Sequence, residues 1–510
     1  MGAPSSIDPV LGRANAPGET PLWKTLAAGL IAAAVLAAAT APFLGRYGWD
    51  RDELYFLSAS HHLALGYVDF PPITALVAWA VRAVAGNSLV ALRLTSLAAG
   101  VGSVVLVAMM ARELGGTCAV QLLAALVWAL SPYVLGAPSI FHPTWFDMLA
   151  WVAVLYLVLR ILRRPEPSLW PFAGVAAGIG LEAKYTIGAL IIAIGLGLLA
   201  TPQRKLLKTS GPWIALAIAA LLLVPNLVWQ ASHGWPSLQF LPSQTAKTAD
   251  DTSRPAYVLE QVLFLGAGAV VAIVGVVSLW RRPALRPLAV VPIFVTLLFL
   301  FEQGRAYYPL PADSVPIAAG TVAIAGWLRA GRRRRFGVVA ALAVVQLAVM
   351  VVTVPVVVPL LPTATMIKDK VWKVGFYDDE IGWPELATQT ARAWASLPPR
   401  ERRHGVVLTQ NYGEASALAL YGPARGLPPP LSGHLSWQYW RPPRLRQRFA
   451  LTVGFSRGDL RGVCSSVRPI ARIENDWNLA NEERGRLVAS CHLRRPLGAL
   501  WEGRIATDNL

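Results

Sequence analysis

Charge is what this chain of 510 residues has least of. Only 15% of its residues are Asp, Glu, Lys or Arg, whereas a soluble globular protein carries about a quarter. That scarcity, beside 55% hydrophobic residues, excludes an ordinary soluble enzyme. Cysteine is scarcer still, at three residues, and no His/Cys ligand spacing marks a metal site. No internal repeat or functional low-complexity tract is visible, which weighs against the repeat-built transporters. Acidic residues are the minority charge, 29 against 46 basic, for a net +17. In a soluble chain that excess would suggest nucleic acid, but here its placement gives a better explanation and no nucleic-acid partner is expected.

The apolar residues come in blocks about twenty long, enough to cross a hydrocarbon layer of about 30 Å. Transmembrane helices are expected near 22–45, 89–111, 118–136, 144–162, 168–183, 185–200, 212–230, 257–279, 286–302, 311–328 and 336–360. The first block is too long for a signal-peptide core and reads as a retained helix. Basic residues cluster in alternate loops: Arg112; Arg160, Arg163 and Arg164; Arg204, Lys205 and Lys208; Arg281, Arg282 and Arg286; Arg329 and the run Arg332 to Arg335. By the positive-inside rule the N-terminal tail 1–21 is cytoplasmic. About eleven crossings then put residues 362–510 outside, beyond a membrane domain at 22–361. The basic run beside its helix reads as an orientation signal that contacts membrane lipid headgroups.

Residues 46–88 form a long outer loop that is not plainly soluble. Glu53 to Leu65 and Ile73 to Ala85 suit helices lying in the membrane interface. The segment 231–256, with its polar run Ser243 to Ser253, reads as a mobile outer loop. Beyond 362, Pro, Gly, Trp and charge return. Val406 to Thr409 and Leu451 to Phe455 read as strands and Asn411 to Tyr421 as a helix, which makes an α/β soluble domain. Cys118 reads as an apolar filler. Cys464 and Cys491 fall in the outer domain, where an oxidising compartment permits a disulfide. The fold class expected is mainly α, a polytopic membrane protein with interfacial helices and this C-terminal α/β domain.

The first outer loop carries the chemistry. Asp50, Asp52 and Glu53 sit just past a membrane helix. Crowded carboxylates at a low-dielectric boundary raise one another's pKa, which suits a general base; spacing alone fits a solvated acidic cap as well. His61 and His62, further along the same segment, either meet lipid phosphate or face water. Asp147 and Glu182 are costly inside a membrane unless paired or hydrated. Clustered carboxylates can take a divalent cation, but no complete ligand set is visible.

An Asp-Glu pair after the first membrane helix, an interfacial helix and then Asp69-Phe70-Pro71-Pro72 together resemble the GT-C membrane glycosyltransferases. The pattern is most similar to the protein O-mannosyltransferase and aminoarabinose transferase group, glycosyltransferase family 39. Lys184-Tyr185, Pro225-Asn226 with Trp229, and Gly304-Arg305-Ala306-Tyr307-Tyr308 follow in the family's order. Asn411-Tyr412-Gly413-Glu414-Ala415 and Ser432-Gly433-His434 look like a bacterial subgroup.

The resemblance implies a GT-C fold and transfer of a sugar from a polyprenyl-phosphate donor, usually with inversion, to an envelope glycan, lipid or protein acceptor outside the cytoplasmic membrane. It assigns the catalytic base to Asp52, with Glu53 holding or tuning it. It assigns substrate contacts to Arg305 and Lys184 at the lipid phosphate, beside Tyr307 and Tyr308, and to Asp50, Asp69 and His61. No metal ligand is assigned. Phe70 stands where related transferases often carry a basic residue, a departure that bears on the donor's phosphate. The rival functions are a transporter or flippase of a lipid-linked or small polar substrate, and a membrane-anchored assembly factor. The transporter does not explain the acidic outer loop, the interfacial helices or the outer domain.

Overall fold

The computed structural model describes residues 20–506 apart from 165, 252, 330–332, 376, 443 and 502–504. The expected cytoplasmic tail lies outside the described residues except for its last two, as do the side chains of the basic run Arg332 to Arg335.

Every expected membrane segment is helical. In chain order the helices are α1 (Leu22–Thr40), α2 (Arg51–Ala59), α3 (Ile73–Ala85), α4 (Leu89–Glu113), α5 (Cys118–Ala129), α6 (Pro132–Gly136), α7 (Pro143–Arg163) and α8 (Trp170–Ala183). They continue as α9 (Ile187–Leu199), α10 (Ser210–Ser232), α11 (Pro236–Asp251), α12 (Arg254–Leu265), α13 (Gly268–Trp280), α14 (Arg286–Phe301), α15 (Ser314–Arg329) and α16 (Arg333–Val357). Among the described residues six spans are long and apolar enough to cross a membrane, and up to nine if bent pairs count as one. The segment expected at 118–136 is such a pair, α5 and α6, bent by 61°; the one at 257–279 is α12 and α13, bent by 93°. Serine and proline, Ser131-Pro132, interrupt the first, and Gly266 at φ 58 the second.

Small residues let the helices approach closely. A Cβ on Gly174 of α8 would press into the Ala215 backbone of α10, one on Gly178 into the Leu222 side chain of α10, and one on Gly275 of α13 would strike the Pro316 carbonyl of α15. Between helices in lipid, where tails are as apolar as leucine, such close van der Waals contact is a main source of association.

Three expectations are corrected. The segment 231–256 is not a loop through most of its length, because α11 occupies Pro236–Asp251. Its start is pinned to α10 by Gln230, whose side chain bonds both the backbone and the hydroxyl of Ser237. The helix expected over Glu53 to Leu65 stops at Ala59, after which the chain turns so that the buried Tyr67 hydroxyl can bond Ala64 and His62 backbone groups. The strand expected at Leu451 to Phe455 runs from Phe449 to Val453, ending where Gly454 takes φ 86.

The C-terminal region carries one five-stranded sheet. Its strands are β1 (Val406–Thr409), β2 (Pro430–Ser432), β3 (Phe449–Val453), β4 (Cys464–Arg472) and β5 (Leu487–Leu493). The order is β2-β1-β3-β5-β4, with β1 parallel to β2 and β3 and the other pairs antiparallel. The disulfide that an oxidising compartment would permit is formed, joining Cys464 of β4 to Cys491 of β5.

One buried cation ties this region to the membrane helices. Arg93 of α4 is fully buried. Its guanidinium donates to both carboxylate oxygens of Glu53 at 2.8 Å, to Glu380 at 3.1 Å, and to the carbonyls of Leu44, Arg46 and Gly48. Glu53 in turn accepts the backbone N–H groups of Asp50 and Phe141. Arg51 adds ion pairs to Asp379, Glu482 and Glu483.

Carboxylates outnumber cations here, so protons are retained. Burial pushes the Glu380 carboxyl up to about 8 against the pull of Arg93, and Asp379 up to about 6 against Arg51. Burial, then the charge of Asp52, drives Asp50 up as well. The unfolded value for Glu380 is 4.5, so between there and about 8 the folded chain holds a proton the unfolded chain has lost. Stability therefore falls as pH rises through that window, by at most about 1.4 kcal/mol per pH unit for each such proton. Thermal unfolding in detergent should give a higher Tm at pH 6 than at pH 8, and Glu380→Gln should flatten the difference. A Tm that climbs from pH 6 to 8 would overturn this reading of the cluster.

Candidate active site

Helix α2 opens with a reciprocal cap. The Asp50 carboxylate accepts the Asp52 N–H at 2.8 Å, and Glu53 accepts the Asp50 N–H at 2.9 Å, which satisfies helix-end donors on both sides of the turn. The cap uses Asp50 and Glu53 from within and leaves Asp52, whose side chain is 37% exposed, open to solvent. Of the three clustered carboxylates, only Asp52 is presented outward.

Two residues from distant segments converge on Asp52. The Tyr412 hydroxyl donates to Oδ1 at 2.7 Å. Burial and the Asp52 charge push this phenol well up, so it remains a donor. Its helix, Tyr412–Tyr421, starts with a second reciprocal cap formed by Asn411 and Glu414. On the other side, His142 Nε2 stands 3.8 Å from Asp52 Oδ2. His142 is the N-cap of α7, and Pro143 occupies the first helical position, where a missing N–H costs nothing.

The histidine's tautomer follows from its neighbours. His142 Nδ1 accepts the Thr144 N–H at 3.2 Å, so it carries no proton. Burial, then Lys184 and Arg305, hold the imidazole well below its usual range. The ring is therefore neutral with its proton on Nε2, toward Asp52. The Thr144 hydroxyl lies 2.8 Å from Nδ1 and accepts from Lys184 Nζ at 2.9 Å. A continuous line of polar groups thus runs from Lys184 through Thr144 and His142 to Asp52.

Lys184 sits in extended backbone between α8 and α9, so its side chain leaves the helical ladder at the break. Its ammonium lies over the rings of Tyr308 at 4.3 Å and Tyr307 at 5.2 Å, a favourable cation–π placement. Arg305 acts electrostatically on both His142 and Tyr308. Asp147 is fully engaged, accepting from Thr186 at 2.7 Å and Trp151 at 3.0 Å, which accounts for it as a paired structural acid. The Glu182 carboxylate has no hydrogen-bond partner among the described residues.

The expected site residues thus divide. Asp52 is joined to Lys184 through His142 and Thr144, Tyr307 and Tyr308 lie beside Lys184, and Arg305 acts on His142 and Tyr308, so these five expected residues share one site. Glu53 is buried behind it as a brace, and Asp50 serves as the helix cap in place of the substrate contact expected of it. Asp69 accepts from the Tyr55 hydroxyl at 2.9 Å, and the Tyr55 ring lies 4.8 Å from that of Tyr412. His61 is exposed beyond the far end of α2 from Asp52. Sequence reasoning missed His142, Thr144, Tyr412 and Arg93 as contributors. Tyr412 stood inside a motif quoted above, whereas Thr144 and Arg93 gave no signal.

A sequence model of the family described as dolichyl-phosphate-mannose-protein mannosyltransferase matches residues 69–229. The match begins at Asp69 and contains Arg93, His142, Thr144 and Lys184, but neither Asp52 nor Arg305 nor Tyr412. No curated protein matches. Among solved structures, apo ArnT from Cupriavidus metallidurans is similar over 92% of this chain and 97% of its own, at 15% identity and a TM-score of 0.50. ArnT from the same organism bound to undecaprenyl phosphate matches at 16% identity over the same shares, with a TM-score of 0.49. The Archaeoglobus fulgidus oligosaccharyltransferase in complex with Zn and sulfate matches at 12% identity over 78% of this chain and 61% of its own, with a TM-score of 0.49. The family match runs through His142, Thr144 and Lys184, and over 92% of its length the chain has a fold similar to that of apo ArnT.

Proposed function

We propose that the chain transfers a sugar from a polyprenyl-phosphate carrier to an acceptor hydroxyl, with Asp52 as the general base. The observation that carries this is the polar line from Lys184 to Asp52, a cation at one end and an outward carboxylate at the other. The donor's phosphate sits at Lys184 and Arg305, its sugar lies over His142, and the acceptor hydroxyl meets Asp52. The acceptor oxygen attacks the anomeric carbon, its proton passes to Asp52, and the bond from that carbon to the phosphate oxygen breaks. The leaving phosphate takes the electron pair, stabilised by Lys184 and Arg305. Single displacement inverts the anomeric centre.

Tyr412 and His142 flank the carboxylate, and neither adds a positive charge that would drain its basicity. Support for the carrier comes from the matched family, whose description names a dolichyl-phosphate sugar. The alternating basic loops support an outer-face location for this chemistry, with residues 362–510 outside as a soluble α/β domain.

Two experiments test the proposal. Asp52→Asn keeps shape and hydrogen bonding but removes basicity, so transfer should fall by about 10²–10⁴ while donor binding holds. Lys184→Ala or Arg305→Ala should instead weaken donor binding about ten- to a hundredfold, the usual loss of a charge-assisted contact. Near-normal turnover in Asp52→Asn, with Asp69→Asn dead, would move the base to Asp69.

For the topology, Arg400→Cys in a Cys118→Ala background puts a thiol on an exposed helix of the C-terminal region. A membrane-impermeant maleimide should label it in intact cells. Labelling only after permeabilisation would reverse the orientation and the face on which transfer occurs.

A further inference from the structure

At the opposite end of α13 from its bend, the helix surface opens into a cavity of about 390 Å³. One wall is the row Ile273, Val277 and Arg281; the adjacent row is Val274, Ser278 and Arg282. Both rows step by four residues, so they run side by side along the helix. Ala323 of α15 forms the facing wall, and its small side chain leaves the groove unfilled. From residue 273 to residue 282 the groove is about 13 Å long at 1.5 Å per residue. Its lining is apolar along the helix and cationic only at the rim.

The rim cations lack acids. Neither Arg281 nor Arg282 makes a side-chain ion pair among the described residues. Arg282 is half-buried, and Arg163 at the end of α7 adds a like charge beside it. The local carboxylates are already used: Arg112, Arg160 and Arg164 surround Glu113 at 3.7–3.9 Å, and Arg160 holds Glu166 at 2.8 Å. A partly desolvated guanidinium beside another cation is costly until an anion meets it, and the guanidinium fork fits phosphate oxygens.

We infer that this groove binds an anionic phospholipid of the adjoining leaflet, its phosphate between Arg281 and Arg282 and one acyl chain along α13. The shape and the charge require both halves of the ligand. A free phosphate would leave the apolar groove open, and a neutral lipid would leave the arginines unmatched. The basic loops assign this leaflet to the cytoplasmic side, so the lipid sits away from the transfer chemistry and the inference does not depend on it.

The test uses the full chain in nanodiscs of equal phosphatidylglycerol and phosphatidylcholine, followed by detergent extraction and native mass spectrometry of retained lipid. Wild type should keep phosphatidylglycerol over phosphatidylcholine by about 30-fold, the effect of two basic residues acting together. In the Arg281→Gln/Arg282→Gln variant that preference should fall close to one, while Arg281→Lys/Arg282→Lys restores most of it. Ala323→Phe fills the groove with both arginines in place and should lower retention of phosphatidylglycerol. Thermal unfolding confirms that each variant is folded. Equal retention of the two lipids by wild type, or an unchanged preference in the glutamine variant, overturns the site. Unchanged retention in a folded Ala323→Phe variant overturns the acyl-chain placement.

Discussion

The burial of Arg93 constrains everything around it. A guanidinium removed from water is destabilising unless its donors are met, and here six acceptors meet it: two oxygens of Glu53, one of Glu380 and three backbone carbonyls after α1. Those acceptors come from the end of the first helix, the start of α2 and the C-terminal region, so satisfying one side chain fixes three segments at once. Glu53 then has no freedom left, because its remaining capacity is taken by the Asp50 and Phe141 N–H groups. The position of Asp52 follows from its neighbours' obligations. Its carboxylate is the one of the three that neither the cap nor Arg93 engages, and Tyr412 donates to it instead.

The site also manages charge economically. A protonated histidine beside Asp52 would pair with it and lower its basicity. Thr144 prevents this by occupying Nδ1, and the cations Lys184 and Arg305 disfavour a third. The same cations that suit a phosphate thus help keep the histidine neutral.

The sequence revealed some elements much better than others, for local reasons. Helix α3 was read to the residue because Pro72 precedes it and Gly86, at φ 62, ends it. The Asp-Glu pair was legible because it lies directly after a membrane helix. Helix α11 was not, since two prolines and a run of Ser, Thr and Asp look like a loop until Gln230 is seen to anchor its start. The two tasks of Asp52 and Glu53 could not be separated from spacing. What separates them is Arg93, forty positions along the chain, and Tyr412, which lies 360 positions away. Contacts of that range leave no periodic trace in a single sequence.

The reach from Asp52 to Tyr412 has a consequence for biogenesis. Helices α1 to α10 can insert and pack while the ribosome is still making the last third of the chain, but at that stage Arg93 lacks Glu380 and Asp52 lacks its phenol. The arrangement around Asp52 is completed only when the C-terminal sheet region folds back onto α2. The surroundings of Asp52 therefore depend on the part of the chain made last, and they are complete only once that part has folded.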